Sequence, residues 1–368
     1  MLNRIYVDNY KSLVNFEINL DRMTILLGEN GTGKSTVFEI LRKIQLFIGG
    51  IAKVDQLFSF QDRCRWQTLS TQTFEFDFTA VNGRGLYHYI LVIEHTKDGE
   101  KAKVKEEKLS LNGKPLFGFE DGVIQLYNDA FQPGPKFPFD WSQSGLATIY
   151  SRQDNVLLTQ FKQQVAQMVI AQIIPSMMQS DASEKGELLP AKNLENYVSW
   201  YRTISQDQGL VNRLTQTLRQ VLENFDSFRF VPPSGIKVWL EAAFSYDGMK
   251  NSIPYQLDEL SDGQRMLIAL YTLLEAARSG NYILCLDEPE NFISLPEIQP
   301  WLNAVYDMVS DNQSQALLIS HHPEAIDLFS SHARWFERPN GLATRTSPLP
   351  DSDDGLRVSE IIARRWLK

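Results

Sequence analysis

Cysteine is nearly absent. Cys64 and Cys285 are the only two in 368 residues, which excludes a disulfide framework. Cys285 lies inside the apolar run Ile283 to Leu286, where a small buried thiol is expected. No apolar run approaches ~18 residues, so no membrane-spanning helix is expected. The start, MLNRIYVDNY, has no apolar signal-peptide core and passes directly into a strand pattern. Together these absences point to the reducing cytoplasm. Positive charge is also short: 36 Lys and Arg stand against 45 Asp and Glu, a net charge of −9. Strong nonspecific affinity for nucleic acid needs basic surface, so it is not expected. One basic run, Lys97, Lys101, Lys103, Lys105 and Lys108, is interrupted by Asp98, Glu100, Glu106 and Glu107 and reads as a solvated hairpin edge. Internal repeats, sustained heptads and Cys/His metal spacings are missing too.

What remains is an ordinary globular composition, 43% hydrophobic and 22% charged. Ile5 to Val7, Phe16 to Leu20 and Ile25 to Leu27 read as three short strands. A loop over Gly28 to Gly33 precedes a helix over Ser35 to Phe47, with Val37, Ile40, Leu41 and Ile44 on one face. Residues 72–131 alternate apolar and polar, with turn signals at Asn82-Gly83, Asp98-Gly99, Asn112-Gly113 and Asp121-Gly122; the pattern predicts an antiparallel meander. A Pro-rich loop is expected at 133–138. Beyond it, Leu158, Phe161, Val165 and Met168 follow helical spacing toward Pro175, and two further helices are marked by Leu194 to Tyr201 and Val211 to Phe225. Residues 180–190 read as a polar linker, and this block reads as an inserted helical lid. From Phe228 strands return, followed by a helix near Gly263 to Ala277, a strand at Tyr282 to Leu286, a helix near Ile298 to Val309 and a strand at Ala316 to Ile319. Such alternation predicts an α/β fold with a mostly parallel sheet. Three stretches are expected: an N-terminal lobe 1–150, the insertion 151–227 and a C-terminal lobe 228–368.

Four motifs carry chemistry. Gly28-Glu29-Asn30-Gly31-Thr32-Gly33-Lys34-Ser35 is a full G-x-x-x-x-G-K-S between an apolar strand and an apolar-faced helix. Its glycines let backbone N–H groups turn toward a phosphate, and the helix presents its positive end to the same anion. Lys34 is expected to bridge the β- and γ-phosphates and Ser35 to ligate Mg²⁺, with Asn30, Gly31, Gly33 and Thr36 completing the cradle. The apolar strand at Ile283 ends in Asp287-Glu288; Asp287 is expected in the Mg²⁺ shell and Glu288 as the base for an attacking water. Should Glu288 not be the base, Glu290 is next in line. Ser261-Asp262-Gly263-Gln264 opens an apolar helix, and Ser261 suits an N-cap. Last, Ser320-His321-His322 follows a strand.

In this order the motifs resemble those of ABC-type P-loop ATPases: Walker A, the Leu260-Ser261-x-Gly263-Gln264 signature, Walker B and the switch histidine. The opening Asn9-Tyr10-Lys11-Ser12 and the Asp287-Glu288-Pro289-Glu290-Asn291 form are similar to the SMC, RecF and OLD-type branch. The resemblance implies an ABC-ATPase head that takes ATP as substrate with Mg²⁺. It also implies a homodimer in which Ser261, Asp262, Gly263 and Gln264 bind the γ-phosphate held by the other copy. His321, with His322 as alternative, would meet that γ-phosphate or the water. Asn9 to Ser12, and Lys11 and Ser12 in particular, would help hold the nucleotide. Asp262 departs from the usual glycine of the signature. Gln132 and Gln143 are the candidates for a Q-loop, and a D-loop should fall in Phe292 to Pro296. Long coiled-coil arms are missing between Ser35 and Ser261. Too few residues follow His321 for a Toprim nuclease domain, Asp351, Asp353 and Asp354 read as a solvated loop, and Val358 to Leu367 as a docking helix or a cap. The expected function is a nucleotide-gated switch controlling a separate effector, a nuclease or toxin, in DNA repair or antiviral defence. A RecF-like DNA clamp and a transporter ATPase subunit remain as alternatives; the first would bind DNA, and no membrane contact is expected otherwise.

Overall fold

Apolar–polar alternation builds the N-terminal half of the chain. In order come β1 (Leu2–Asp8), β2 (Phe16–Asn19), β3 (Met23–Gly28), α1 (Lys34–Ile48), α2 (Val54–Leu57), β4 (Thr71–Thr79), β5 (Leu86–His95), β6 (Ala102–Leu111), β7 (Lys114–Glu120), β8 (Val123–Tyr127), β9 (Pro133–Pro138) and α3 (Val156–Ala166). The computed structural model describes the chain except residues 82, 84, 97–98, 100, 180–184, 233–237, 281, 312–313, 350–355, 365 and 367–368. Asn82, Lys97, Asp98, Glu100, part of the expected linker at 180–190, Asp351, Asp353, Asp354 and Leu367 therefore lie outside the described residues.

Two compact units result: Met1–Met168 with Ser331–Asp351, and Val169–Ser330 with Ser352–Lys368. This division falls at other points than 150/151 and 227/228. The stretch read as one insertion is split because Phe161 of α3 packs edge-on and tilted against Phe78, Tyr87 and Tyr89 of the meander, with ring centroids 5.5–5.6 Å apart.

In the first unit an antiparallel sheet runs in the order β2-β1-β4-β5-β6-β7-β8-β9. Its inward residues alternate as the pattern requires, with Phe74, Phe76, Phe78, Tyr87, Tyr89, Leu91 and Ile93 all buried. This antiparallel part is larger than the sequence suggests, because β1 and β2 join it through β4. Residues 133–138 are not a loop but its edge strand, β9, paired with β8. Proline is tolerated there because its missing N–H falls on an edge that needs no further partner. Buried Gln45 of α1 donates to the Val165, Ala166 and Met168 carbonyls and so satisfies the open end of α3. On β6, Glu107 is fully buried and accepts hydrogen bonds from Tyr89 Oη (3.0 Å), Ser144 Oγ (2.6 Å) and the Gly145 N–H (2.8 Å). Burial pushes its carboxyl up to about 7, against the opposing pull of those bonds.

The second unit holds β10 (Met168–Ala171), α4 (Tyr197–Ile204), α5 (Gln208–Val221), β11 (Phe225–Val231), β12 (Trp239–Phe244), β13 (Ile253–Gln256), α6 (Asp262–Gly280), β14 (Ile283–Asp287), α7 (Leu295–Asp311), β15 (Gln315–Ile319) and α8 (Pro323–Leu328). The helix expected to run toward Pro175 stops at Ala166. Met168 to Ala171 is a strand buried at every position and flanks β14. β10 is the edge strand of its sheet yet covered on both faces, and four consecutive buried apolar residues suit such a strand better than one helix face. β14 and β15 pair in parallel, with Asp287 beside Ile319, while β11, β12 and β13 form a separate antiparallel sheet. Helix α6 is held by Tyr197 Oη to Thr272 Oγ1 (2.8 Å) and by Glu275, which is 1% exposed and paired with Arg213 of α5 and Arg278.

The chain then returns to the first unit with β16 (Ala333–Glu337), parallel to β3, and β17 (Arg345–Pro348), antiparallel to β16. It ends in the second unit with α9 (Val358–Ala363), where Ser359 is bound by Asp327 of α8 through its N–H (2.9 Å) and hydroxyl (2.8 Å).

Candidate functional site

The Gly28–Ser35 loop grows out of β3, which is buried at all six positions. Gly28 has φ 143°, and a Cβ there would sit 2.3 Å from the Phe336 carbonyl oxygen of β16, so only glycine lets the two strands pair in this register. Gly31 (φ 78°) and Gly33 (φ 101°) also take the left-handed region and turn the chain into α1. No side chain caps the start of α1, so its first N–H groups are turned to the loop, the arrangement that receives anions. The buried Lys34 ammonium donates to the Gly28 (2.7 Å) and Glu29 (2.9 Å) carbonyls. Asn30, Gly31 and Ser35 are exposed, and Thr36 is half-buried.

A segment far along the chain braces this loop. Thr344, fully buried, places Oγ1 2.8 Å from the Thr32 carbonyl oxygen and 2.9 Å from Ser12 Oγ, and its N–H donates to the Ser12 carbonyl. Its Oγ1 also lies 3.0 Å from where a Cβ on Gly33 would sit. Ser12 therefore reaches the loop. Lys11, with φ 50°, pairs instead with Glu39 of α1 and lies over the Tyr10 ring. Burial opposes ionisation of Glu39, but hydrogen bonds from Lys11 and Tyr10 and the charge of Lys43 outweigh it and hold the carboxyl below its ordinary value. The buried Asn9 amide donates to the Leu69 and Thr71 carbonyls and accepts the Cys64 N–H. Thr344 and Glu39 sit in no sequence motif, and only the folded contacts reveal them.

In the second unit, β14 ends at buried Asp287, and Glu288 adopts φ 51°. A left-handed non-glycine residue carries a cost that its surroundings must overcome. Here the Glu288 N–H donates to the Ile319 carbonyl (2.8 Å) and Asn291 Nδ2 to Glu288 Oε2 (2.9 Å). Glu290 turns to the end of β15, where Oε1 accepts from Ser320 Oγ and from the His321 N–H, both at 2.8 Å. His321 is exposed, whereas His322 Nδ1 accepts the Glu324 N–H and caps α8. At the start of α6, Ser261 and Gln264 form a capping box: the Gln264 N–H donates to Ser261 Oγ (3.3 Å) and the Ser261 N–H to Gln264 Oε1 (3.0 Å). Asp262 pairs with Arg265 (2.7 Å), and a Cβ on Gly263 would lie 3.2 Å from the Phe292 carbonyl oxygen. Phe292 is itself left-handed (φ 70°), and both it and Leu295 are exposed.

Neither Q-loop candidate is set apart from its own turn. Gln132 closes the β8–β9 turn with Asn128, and Gln143 bonds to Asp140. On the basic hairpin edge, Lys103 pairs with Glu94 and Lys108 with Glu106 and Glu120, as a solvated hairpin would. Among the described residues no His/Cys/Asp/Glu cluster could by itself hold a metal ion, and no helix is long and apolar enough to cross a membrane.

Comparison with known proteins gives the family and the fold. The structure aligns with an SMC head, solved as the "SmcHead bound to the C-winged helix domain of ScpA", at a TM-score of 0.55 and 12% identity over 98% of this chain and 99% of that one. An SMC head domain from Thermotoga maritima aligns at 0.49 and 12% over 95% and 99%. No curated protein sequence matches the chain. The fold is thus that of an SMC-like P-loop ATPase head, a mixed α/β structure with a large antiparallel sheet. Residues 23–327, most of the chain, match the family described as "AAA domain, putative AbiEii toxin, Type IV TA system", and the protein belongs to that family of AAA-type ATPase domains.

Proposed function

We propose that the protein binds Mg-ATP and hydrolyses it as a switch, closing two copies head to tail and thereby controlling a separate effector. The observation that carries this reading is the phosphate cradle: Gly31 and Gly33 in left-handed conformations, an uncapped helix start and a lysine ammonium buried within the loop. In this reading Lys34 leaves the loop carbonyls for the β- and γ-phosphate oxygens, a charge-assisted exchange that costs it no hydrogen bonds. Ser35 and Asp287 supply a hydroxyl and a carboxylate, hard oxygen donors of the kind Mg²⁺ takes. A bound Mg²⁺ would supply charge neutralisation of the phosphates. Glu288 accepts the proton of the attacking water, and His321 contacts the γ-phosphate. Ser261, Asp262, Gly263 and Gln264 meet the nucleotide of the second copy by their helix N-terminus, once Ser261 and Gln264 give up their mutual bonds.

An SMC head of the same fold is bound to the C-winged helix domain of ScpA, and the family's description names a toxin–antitoxin setting. The first supports a head that works with a partner protein and the second a toxin–antitoxin setting; a nuclease or toxin controlled in defence or DNA repair is the partner we propose.

The test is the mass in solution of Glu288→Gln with and without Mg-ATP, then with duplex DNA. An ATP-dependent shift to dimer with very slow turnover is expected. Wild-type turnover in this variant would remove Glu288 from the base role. An added DNA complex would favour a clamp over an effector switch.

A further inference from the structure

Three carboxylates follow one another in Asp287-Glu288-Pro289-Glu290, and the third has no role in the scheme above. We propose that Glu290 is a positioning residue that fixes the switch-histidine loop against the turn carrying Glu288. The proposal rests on the ATPase reading.

The geometry separates Glu290 from its neighbours. Glu288, left-handed, turns the chain out of β14, and buried Pro289 restricts the next φ. Glu290 then directs its carboxylate across to the end of the adjacent parallel strand β15. There Oε1 accepts two hydrogen bonds, from Ser320 Oγ and from the backbone N–H of His321, each 2.8 Å long. Bonds to an ionised acceptor are about twice as strong as neutral ones. A second tie lies one step back, where the Glu288 N–H donates to the Ile319 carbonyl. Residues 288–290 and 319–321 are therefore stapled at two points, one between backbones and one through the Glu290 side chain.

The consequence is specific. His321 is exposed, and Glu290 holds the backbone from which its side chain departs. Ser320 Oγ also accepts the His322 N–H (3.1 Å), so the same carboxylate steadies the entry into α8. Glu290 Oε1 is already occupied twice, and Oε2 is closed off from solvent with no hydrogen-bond partner among the described residues. That makes it poorly placed to take a proton from a mobile water, and a carboxylate acting only as a hydrogen-bond acceptor should be replaceable by an amide.

Glu290→Ala and Glu290→Gln, compared with the wild type in ATP turnover, ATP affinity and amide exchange, test this. Expected for Glu290→Ala is a fall in kcat of about 10- to 100-fold, the cost of a misplaced reacting group, with ATP affinity unchanged within about twofold. Faster exchange is expected at the His321 amide. Glu290→Gln, which keeps the acceptor, should restore kcat to within about fivefold of wild type and restore the slow exchange. Equal inactivity of the two variants would overturn positioning in favour of proton transfer by Glu290. Wild-type kcat in Glu290→Ala would overturn any role. A wild type with no ATP turnover would overturn the ATPase reading itself, and with it the purpose assigned to Glu290, a result the other two outcomes cannot mimic.

Discussion

Glu107→Gln separates the cost of burying a charge from the value of the hydrogen bonds around it. In the native protein the Glu107 carboxyl titrates near 7, whereas in the unfolded chain it returns to its ordinary value of 4.5. Below pH 4.5 both states hold the proton. Between 4.5 and 7 the unfolded chain releases it while the folded protein keeps it, so stability falls as pH rises and the loss is complete above the folded value. At 1.36 kcal/mol per decade the loss amounts to about 3 kcal/mol. A glutamine cannot ionise, and it can fill the same network. Its carbonyl oxygen would accept the Gly145 N–H, and its amide would donate to the Tyr89 or Ser144 hydroxyl, either of which can turn to accept. Guanidinium unfolding at pH 5 and pH 8 is the assay. Relative to wild type, Glu107→Gln should gain about 2.5 kcal/mol on going from the lower pH to the higher, since at pH 5 a little of the loss has already occurred. A difference that stays constant with pH would refute the argument, because the titrating group would then lie elsewhere.

Two further substitutions test the phosphate loop. Lys34→Ala should abolish ATP binding and any ATP-dependent dimer while leaving the far-ultraviolet spectrum unchanged; unaltered affinity by calorimetry would remove this loop from nucleotide binding. Thr344→Val strips the buried brace from Thr32 and Ser12 and should cost about 1–3 kcal/mol of stability. ATP affinity should fall by about tenfold, as 1.4 kcal/mol of lost preorganisation would give; a Tm and affinity equal to wild type would show that the loop holds its shape without Thr344.

What could be read from the sequence was local. α1 and α6 announce themselves by apolar spacing, and β14 and β15 by short buried runs, because each pattern repeats within a few residues. The loop glycines were legible for a similar reason, since a left-handed turn into a helix leaves glycine and little else. β9 was not legible: Pro133, Pro135 and Pro138 argue for a loop unless the strand's outer edge is known to be free. β10 was hidden because Met168 extends the spacing of α3 by one more step. The brace on the loop was hidden most deeply, because Thr344 meets Ser12 across 332 positions of chain. Asn9 lies in the opposite class, a residue whose motif suggested a ligand contact and whose amide the fold spends on its own backbone.

The prolines of β9 have an effect beyond their own strand. A sheet of eight strands has two flanks on which another polypeptide could lay itself down and continue the ladder. One flank is β2, only four residues long; the other is β9, where three of six positions cannot donate. Crowded molecules of this protein thus find little template on this sheet for runaway strand addition.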